Sequence, residues 1–477
     1  MQKQSGAWSL VSQLSTQGIM FLTFLITARF LEKETFGIIA ICLIFTELAK
    51  HALSESIATY LVSRQTLSPD DLGRYFSATV VLGLISTGLL IGLSFFIDYI
   101  FAIEGIGNAL CLMSFAVLLH ASSKMNEVLL IRKSNFRTLA LKGIFCNGTA
   151  GIVSAYLAFR GYEVTALVTQ YLIIAFLSAI YLWCFAYWKP KINCKISEII
   201  ETIKSMKYMF FSDFIVFIGN QSRIIFLSSY VGVTAVGVYN TAQRILLAFQ
   251  MVLSGSVLSI LRPSLSRNIK NPSDVIEKYL NASSLASIVI VPCYAILYNC
   301  SYPLTILLLG HKWADAADII QIISISGFMH PLIQINLNIL LVKDKPNIRF
   351  NILLIGFVTS MVIAFLSAPY GLTAIAWSEV LILLIALIVS LKYCCKIVDV
   401  RLKSYIRTIA PALSSGAISV LATYFLSEIF IIDHIFLDII FKGSISLGLY
   451  ATALILISKN DILKLKKLFL VLHKGDL

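Results

Sequence analysis

Apolar residues recur along this chain in runs of about 20, the length that crosses roughly 30 Å of hydrocarbon in a helix rising 1.5 Å per residue. They do not form the narrow stripes of a soluble amphipathic helix. Divided at Gly, Pro and charged positions, the runs predict fourteen transmembrane helices, at 7–31, 36–62, 75–102, 107–131, 138–159, 164–187, 208–231, 237–261, 280–309, 319–342, 350–367, 371–391, 408–427 and 437–457. The first run is expected to stay in the protein as a helix, because no small-residue cleavage site follows it. On one side of the membrane the longest connections, 310–318 and 428–436, are about nine residues, too short for a folded domain. The expected fold class is an all-α integral membrane protein.

Basic residues orient it. One set of alternate connections, together with both termini, holds 28 of the 38 Lys and Arg, whereas the other holds only Lys33, Arg160 and Lys312. The basic set, and with it both termini, is expected in the cytoplasm. Ahead of the seventh span, Ile196, Ile199, Ile200, Ile203 and Met206 share one helical face, which predicts an interfacial linker helix over 191–207. The basic tail at 458–477 is expected to rest on anionic lipid.

Composition removes other classes. With 58% hydrophobic and 13% charged residues and a mean hydropathy of +0.86, the chain is neither a soluble enzyme nor disordered. A net charge of +13 could suggest nucleic acid, but that needs a basic surface interleaved with stacking aromatics, and here the cations alternate between loops. No nucleic-acid partner is expected. The nine cysteines lack metal-ligand spacing and read as apolar fillers. No phosphate-binding glycine loop, zinc-protease motif or nucleophile elbow is present. The chain therefore reads as not an enzyme, with no cofactor or metal and no direct use of ATP; proton or sodium coupling is left open.

An internal repeat is visible. Val164-Thr165-Ala166, Val233-Thr234-Ala235 and Leu372-Thr373-Ala374 each open an even-numbered helix on the side assigned as outer. Phe36-Gly37 recurs 200 residues later as Val236-Gly237. A six-helix unit followed by a related one, with two helices added, accounts for both. This divides the chain into an N-terminal six-helix bundle (1–190), the linker helix (191–207), a C-terminal six-helix bundle (208–391), two additional helices (408–457) and the tail (458–477).

Charges within spans are expensive in hydrocarbon and so mark candidate sites. In the second helix Glu47, Lys50, His51, Ser54 and Glu55 fall within an arc of about 140°. The spacings Glu47 to Lys50 and His51 to Glu55 suit pairs. His120, Lys124 and Glu127 share a face of the fourth helix, and Lys142 enters the fifth from the cytoplasmic end. Arg223 lies beside Asn220 and Gln221, Arg244 one turn from Asn240, and Arg29 near the outer end of the first helix, where it can snorkel. His330 beside Pro331 suits a kink, and Glu379 suits pairing with one of these cations. Each group could line a hydrated cavity or tie helices together. The same choice holds for Gln334, Asn336, Asn338 and Tyr239.

Several short motifs resemble a known family: Ser5-Gly6-Ala7-Trp8-Ser9, Ala28-Arg29-Phe30-Leu31 before Phe36-Gly37, Leu130-Ile131-Arg132 with Phe136-Arg137, Gly237-Val238-Tyr239, Pro263-Ser264-Leu265-Ser266-Arg267, and Leu308-Leu309-Gly310-His311-Lys312-Trp313 with Ala316-Ala317. In order and spacing, from residue 5 to about 320, they resemble the bacterial polysaccharide and O-antigen repeat-unit flippases. That family is the colanic-acid-exporter-like branch of the multidrug, oligosaccharidyl-lipid and polysaccharide exporter superfamily. The resemblance implies two six-helix bundles around a central cavity that alternates between inward-open and outward-open forms in the bacterial inner membrane. It implies as cargo an oligosaccharide on undecaprenyl pyrophosphate, destined for O-antigen, capsule or exopolysaccharide, with a polysaccharide polymerase and chain-length machinery as partners. A diphosphate stripped of hydration needs cations, which Lys50, Lys124, Arg223, Arg244 and Arg29 would supply, supported by Glu47, His51, Glu55, Glu127 and Asn240. Where relatives tend to carry an acidic residue and a Gly late in the second helix the chain has Ser54-Glu55-Ser56, and where many have Asp in the seventh it has Arg223. The alternatives are a multidrug cation antiporter of the same superfamily and a membrane polysaccharide polymerase.

Overall fold

The computed structural model describes residues 2–51, 61, 68–101, 103–186, 188–190, 196–266, 272–343 and 345–458. Glu55, Ser54 and the tail beyond residue 458 lie outside the described residues.

The fourteen apolar stretches are helical over most of their described length. Helices α1 (Gln2–Phe30), α2 (Lys33–Lys50), α3 (Pro69–Phe101), α4 (Ile106–Arg132), α5 (Phe136–Phe159) and α6 (Glu163–Cys184) follow the first six runs. Next come α7 (Ile196–Tyr230), α8 (Val233–Ser266), α9 (Pro272–Asn299), α10 (Ser301–Leu309), α11 (Ala314–Gly327) and α12 (Met329–Val342). The last are α13 (Pro346–Ser367), α14 (Leu372–Val398), α15 (Leu402–Ile429) and α16 (Ile435–Ile457). Among the described residues, nine helical stretches are long and apolar enough to cross a bilayer, and none of the described residues forms a strand.

Three boundaries differ from the sequence reading. The predicted linker helix is not a separate element in its described part: Ile196 begins a helix that runs unbroken to Tyr230. No Pro or Gly stands between 196 and 218 to end it, and Arg74 of α3 pairs with Glu198 at 3.2 Å near its start. The span predicted at 280–309 is two helices joined at Cys300. The span predicted at 319–342 breaks at Phe328, because Pro331 has no N–H to give the Gly327 carbonyl four residues earlier.

The packing divides into two units, Met1–Asn240 and Thr241–Leu477. In the first, α1 packs on α5, α3 on α4, and α6 on both α4 and α5, while α2 lies against α4, α6 and α7. In the second, α9 packs on α11, α14 on α11, α12 and α13, and the added pair α15 and α16 packs on α9. The contacts of α3 with α4, α4 with α6 and α5 with α6 thus recur as α9 with α11, α11 and α12 with α14, and α13 with α14. The side chains away from these contacts are large and apolar, as lipid requires: Phe95 and Tyr99 of α3 are 77% and 91% exposed.

The repeat also appears in backbone conformation. Gly232 and Gly371 directly precede two of the three Thr-Ala motifs and adopt φ of 111° and 95°, a region that favours residues without a Cβ. Gly161, with φ of 82°, precedes the third by three residues. Gly37 of α2 and Gly237 of α8 pack reciprocally. A Cβ on Gly37 would fall 2.0 Å from the Val233 carbonyl oxygen, and one on Gly237 would fall 1.9 Å from that of Lys33. Each repeat therefore supplies a glycine against the other repeat's first helical turn.

In lipid there is no hydrophobic gain from bringing helices together, so close packing and buried hydrogen bonds hold them. In the second unit the Tyr279 hydroxyl donates to Asn336 Oδ1 at 2.7 Å, and Asn336 Nδ2 donates to Ser390 Oγ at 3.0 Å, tying α9, α12 and α14. Asn336 is fully buried and its amide is committed to this network, which is the interhelical role. Asn336→Ala should strand the Tyr279 and Ser390 groups and cost about 1–3 kcal/mol. The expected result is a lower unfolding temperature of the purified protein with export per folded molecule retained. A transport defect at unchanged stability would instead place Asn336 in the cargo path.

Candidate functional site

Intramembrane charge in the first unit converges on one place. Lys50 Nζ on α2 pairs with Glu47 Oε1 at 2.8 Å, as the spacing predicted. On α4, Lys124 Nζ meets Glu127 Oε2 at 3.3 Å, and Lys142 Nζ on α5 meets the other oxygen, Oε1, at 2.8 Å. One carboxylate thus bridges two ammonium groups from adjacent helices. The Glu127 bridge joins α4 to α5, and α2, which carries the Lys50 to Glu47 pair, packs against α4. His51 turns to α7, its ring 5.3 Å from that of Phe217. The partner predicted for His51, Glu55, lies outside the described residues.

The local sequence explains the placement. Positions 120, 124 and 127 line one stripe of α4, and Arg132 stands in its last turn, where the negative end of the helix dipole favours a cation. The side chains are shielded: Lys124 is 9% exposed, Lys142 17% and Glu127 19%. The other side of α4 is different in kind. There Leu119 and Ser122 border an apolar groove with Phe176, Ala179, Ile180, Trp183 and Cys184 of α6. Helix α4 therefore separates a charged interior face from an apolar one. Among the described residues, Lys124 and Lys142 share one carboxylate, while Lys50 and Glu47 pair one to one.

The predicted arginines are placed separately. Arg223 on α7 is half-buried; its Nε donates to the Tyr239 hydroxyl on α8 at 2.8 Å, and Nη2 donates to the Asn220 carbonyl at 3.4 Å. Tyr239 is 1% exposed, and its hydroxyl anchors the guanidinium between α7 and α8. Asn240 is half-buried one residue further on. Arg244, assigned to the second unit, is half-buried, and Arg29 is exposed near the end of α1. Glu379, buried on α14, accepts a short hydrogen bond from Gln243 Nε2. Sequence reading named Glu379 but missed Gln243, because a neutral amide 136 residues away carries no signal in a single chain. Lys442, the remaining cation within a span, pairs with Asp438 at 2.8 Å on α16. No cluster of His, Cys, Asp or Glu among the described residues could hold a metal ion.

The motif residues that carry the family resemblance mostly hold the fold. Arg137 lies over the Trp8 ring at 5.9 Å, and Ala28, Leu31, Phe36, Val238, Trp313, Ala316 and Ala317 are all buried.

Comparison with known proteins supplies the context. A family model described as "Polysaccharide biosynthesis protein" matches residues 26–318. The chain is 23% identical over 328 residues to the succinoglycan biosynthesis transport protein of Rhizobium meliloti, covering 68% of this chain and 66% of that protein. It is 20% identical to the teichuronic acid biosynthesis protein TuaB of Bacillus subtilis over 88% of both. Among solved structures, lipid II flippase MurJ in an inward closed conformation superposes with a TM-score of 0.76 at 13% identity, covering 95% of this chain and 99% of that one. At that identity the likeness shows the fold.

Proposed function

Because the chain belongs to the polysaccharide biosynthesis protein family, we propose that it is a flippase carrying oligosaccharide repeat units on undecaprenyl pyrophosphate from the cytoplasmic to the periplasmic leaflet. The chain is a multi-pass membrane protein; the reading places it in the bacterial inner membrane with both termini cytoplasmic, on the distribution of its Lys and Arg. A transport protein for succinoglycan and a flippase for lipid II are what the similar proteins are named for.

The observation that carries the reading is the sign of the buried centre. Among the described residues Lys50 and Glu47 pair one to one, while Lys124 and Lys142 share the single carboxylate of Glu127 in a bilayer-spanning unit, a balance that favours an anion. A multidrug cation antiporter would need the opposite balance. Cations at successive depths let a charged headgroup exchange partners without standing unpaired. Lys124 and Lys142 lie in the cytoplasmic half of α4 and α5, while Arg223 lies seven residues from the outer end of α7 and Arg244 eleven from the outer end of α8. Cargo entering from the inner leaflet would meet the lysines first. Alternating access between the two six-helix repeats then delivers it outward, for a polymerase and chain-length machinery to extend.

The test replaces Arg223 and Arg244 in cells lacking their own copy and measures lipid-linked repeat units on the cytoplasmic leaflet. Arg→Lys at each position should keep part of the activity, since charge survives and only the planar fork is lost. Arg→Gln should impair export, and the double Gln variant should abolish it. Normal surface glycan in the double variant would refute the reading; newly acquired drug sensitivity would favour the antiporter.

A further inference from the structure

The Lys124 and Lys142 pair already holds an oxyanion, and the oxyanion belongs to the protein. Glu127 presents one carboxylate oxygen to each ammonium, at 3.3 Å and 2.8 Å, across the junction of α4 and α5. We propose that Glu127 is an internal stand-in for a phosphate group: its carboxylate fills the site that the cargo's diphosphate takes, is displaced when the headgroup arrives, and returns when it leaves. This rests on the flippase reading and adds the binding site and its resident competitor.

Three observations support it. Glu127 lies five residues before the end of α4 and Lys142 six residues after the start of α5, at the end of each helix where a headgroup from the cytoplasmic leaflet would enter. Both acceptor oxygens are used, one per lysine and neither on a backbone donor, so the contact resembles a bound ligand more than a helix cap. The donors are lysines, whose ammonium groups act as point charges with rotatable donors and accept one oxyanion in place of another without a fixed geometry. An arginine fork would favour a single partner.

The arrangement meets a physical requirement of a carrier that must return empty. Two lysines in a low-dielectric span need a counter-anion whether or not cargo is present. A tethered carboxylate supplies one in the empty state.

The experiment uses the full chain purified into lipid nanodiscs, with binding read by native mass spectrometry. The probes are undecaprenyl pyrophosphate, uncharged undecaprenol and inorganic pyrophosphate. Glu127→Gln removes the competitor and keeps the lysines, so undecaprenyl pyrophosphate should bind about tenfold more tightly than to the unaltered protein, as expected when a competing closed state is abolished. Export should nevertheless slow, because the empty site loses its counter-anion. Glu127→Asp, one methylene shorter and still charged, should bind with intermediate affinity, and serves where the Gln variant does not fold. Undecaprenol should show no change in any variant.

Equal affinity of the unaltered protein, Gln and Asp variants for undecaprenyl pyrophosphate would overturn the stand-in while leaving the flippase reading intact. Inorganic pyrophosphate binding as tightly as the lipid would reassign the site to soluble anions and overturn the proposal. Absence of undecaprenyl pyrophosphate binding in every folded variant would overturn the flippase reading together with it.

Discussion

Gly237→Leu is expected to abolish export and lower the yield of folded protein. The ideal Cβ at this position falls 1.9 Å from the Lys33 carbonyl oxygen and 3.1 Å from the Gly37 nitrogen, and both are backbone atoms that cannot rotate aside. The two helices would have to part before any side chain fits. Overpacking of a close contact typically costs about 1–3 kcal/mol, and here the backbone itself must move, so the upper end or beyond is expected. Gly237→Ala and Gly37→Ala should give milder losses of the same kind. Gly92→Leu on α3, where nothing stands within 4 Å, is the matched control and should be nearly silent. Thermal unfolding of the purified variants, alongside surface glycan in cells at matched expression, makes the comparison. Full export by the Gly237→Leu protein would mean that the α2 to α8 crossing is not part of the working molecule.

The second large effect is expected at Lys142. Lys142→Met leaves the Glu127 carboxylate with Lys124 alone, in a site where all three side chains are less than a fifth exposed. Removing one partner of a buried pair costs on the order of 3–5 kcal/mol, most of it for the charge left behind. The variant should fail to accumulate. Adding Glu127→Gln and Lys124→Met removes the remaining buried charges together, so the triple variant should recover folding and remain defective in transport, having lost the cations that receive the diphosphate. Recovery of export as well as of folding would reduce the Glu127 bridge to a tie between helices.

How much of this was legible in the sequence depended on the range of the signal. Span positions are encoded locally, in 20 consecutive residues, and the helices agree with them. Where one residue changed the backbone, as Pro331 does in ending α11 at Gly327, sequence reading named the kink but kept a single span. The Glu47 to Lys50 pair was legible because both lie on one turn of one helix. The Glu127 to Lys142 bridge was not, although both residues had been singled out, because the approach of α4 and α5 is set by their packing. Tyr239 and Asn336 were open between cargo and structure on type alone; burial and committed hydrogen bonds place them in structural roles. The family motifs were visible because packing at positions such as Trp313 and Ala28 tolerates few alternatives.

The reciprocal glycine contact has the form of an isologous interface: position 37 meets 233 and position 237 meets 33, so the same patch on each side is complementary to itself. Such a patch is what a two-fold homodimer uses. Here both patches belong to one chain, so a contact of the kind that joins two molecules is made within one. Lys33 and Val233 now face the two glycines from equivalent turns with unlike side chains, a difference no symmetric dimer could hold.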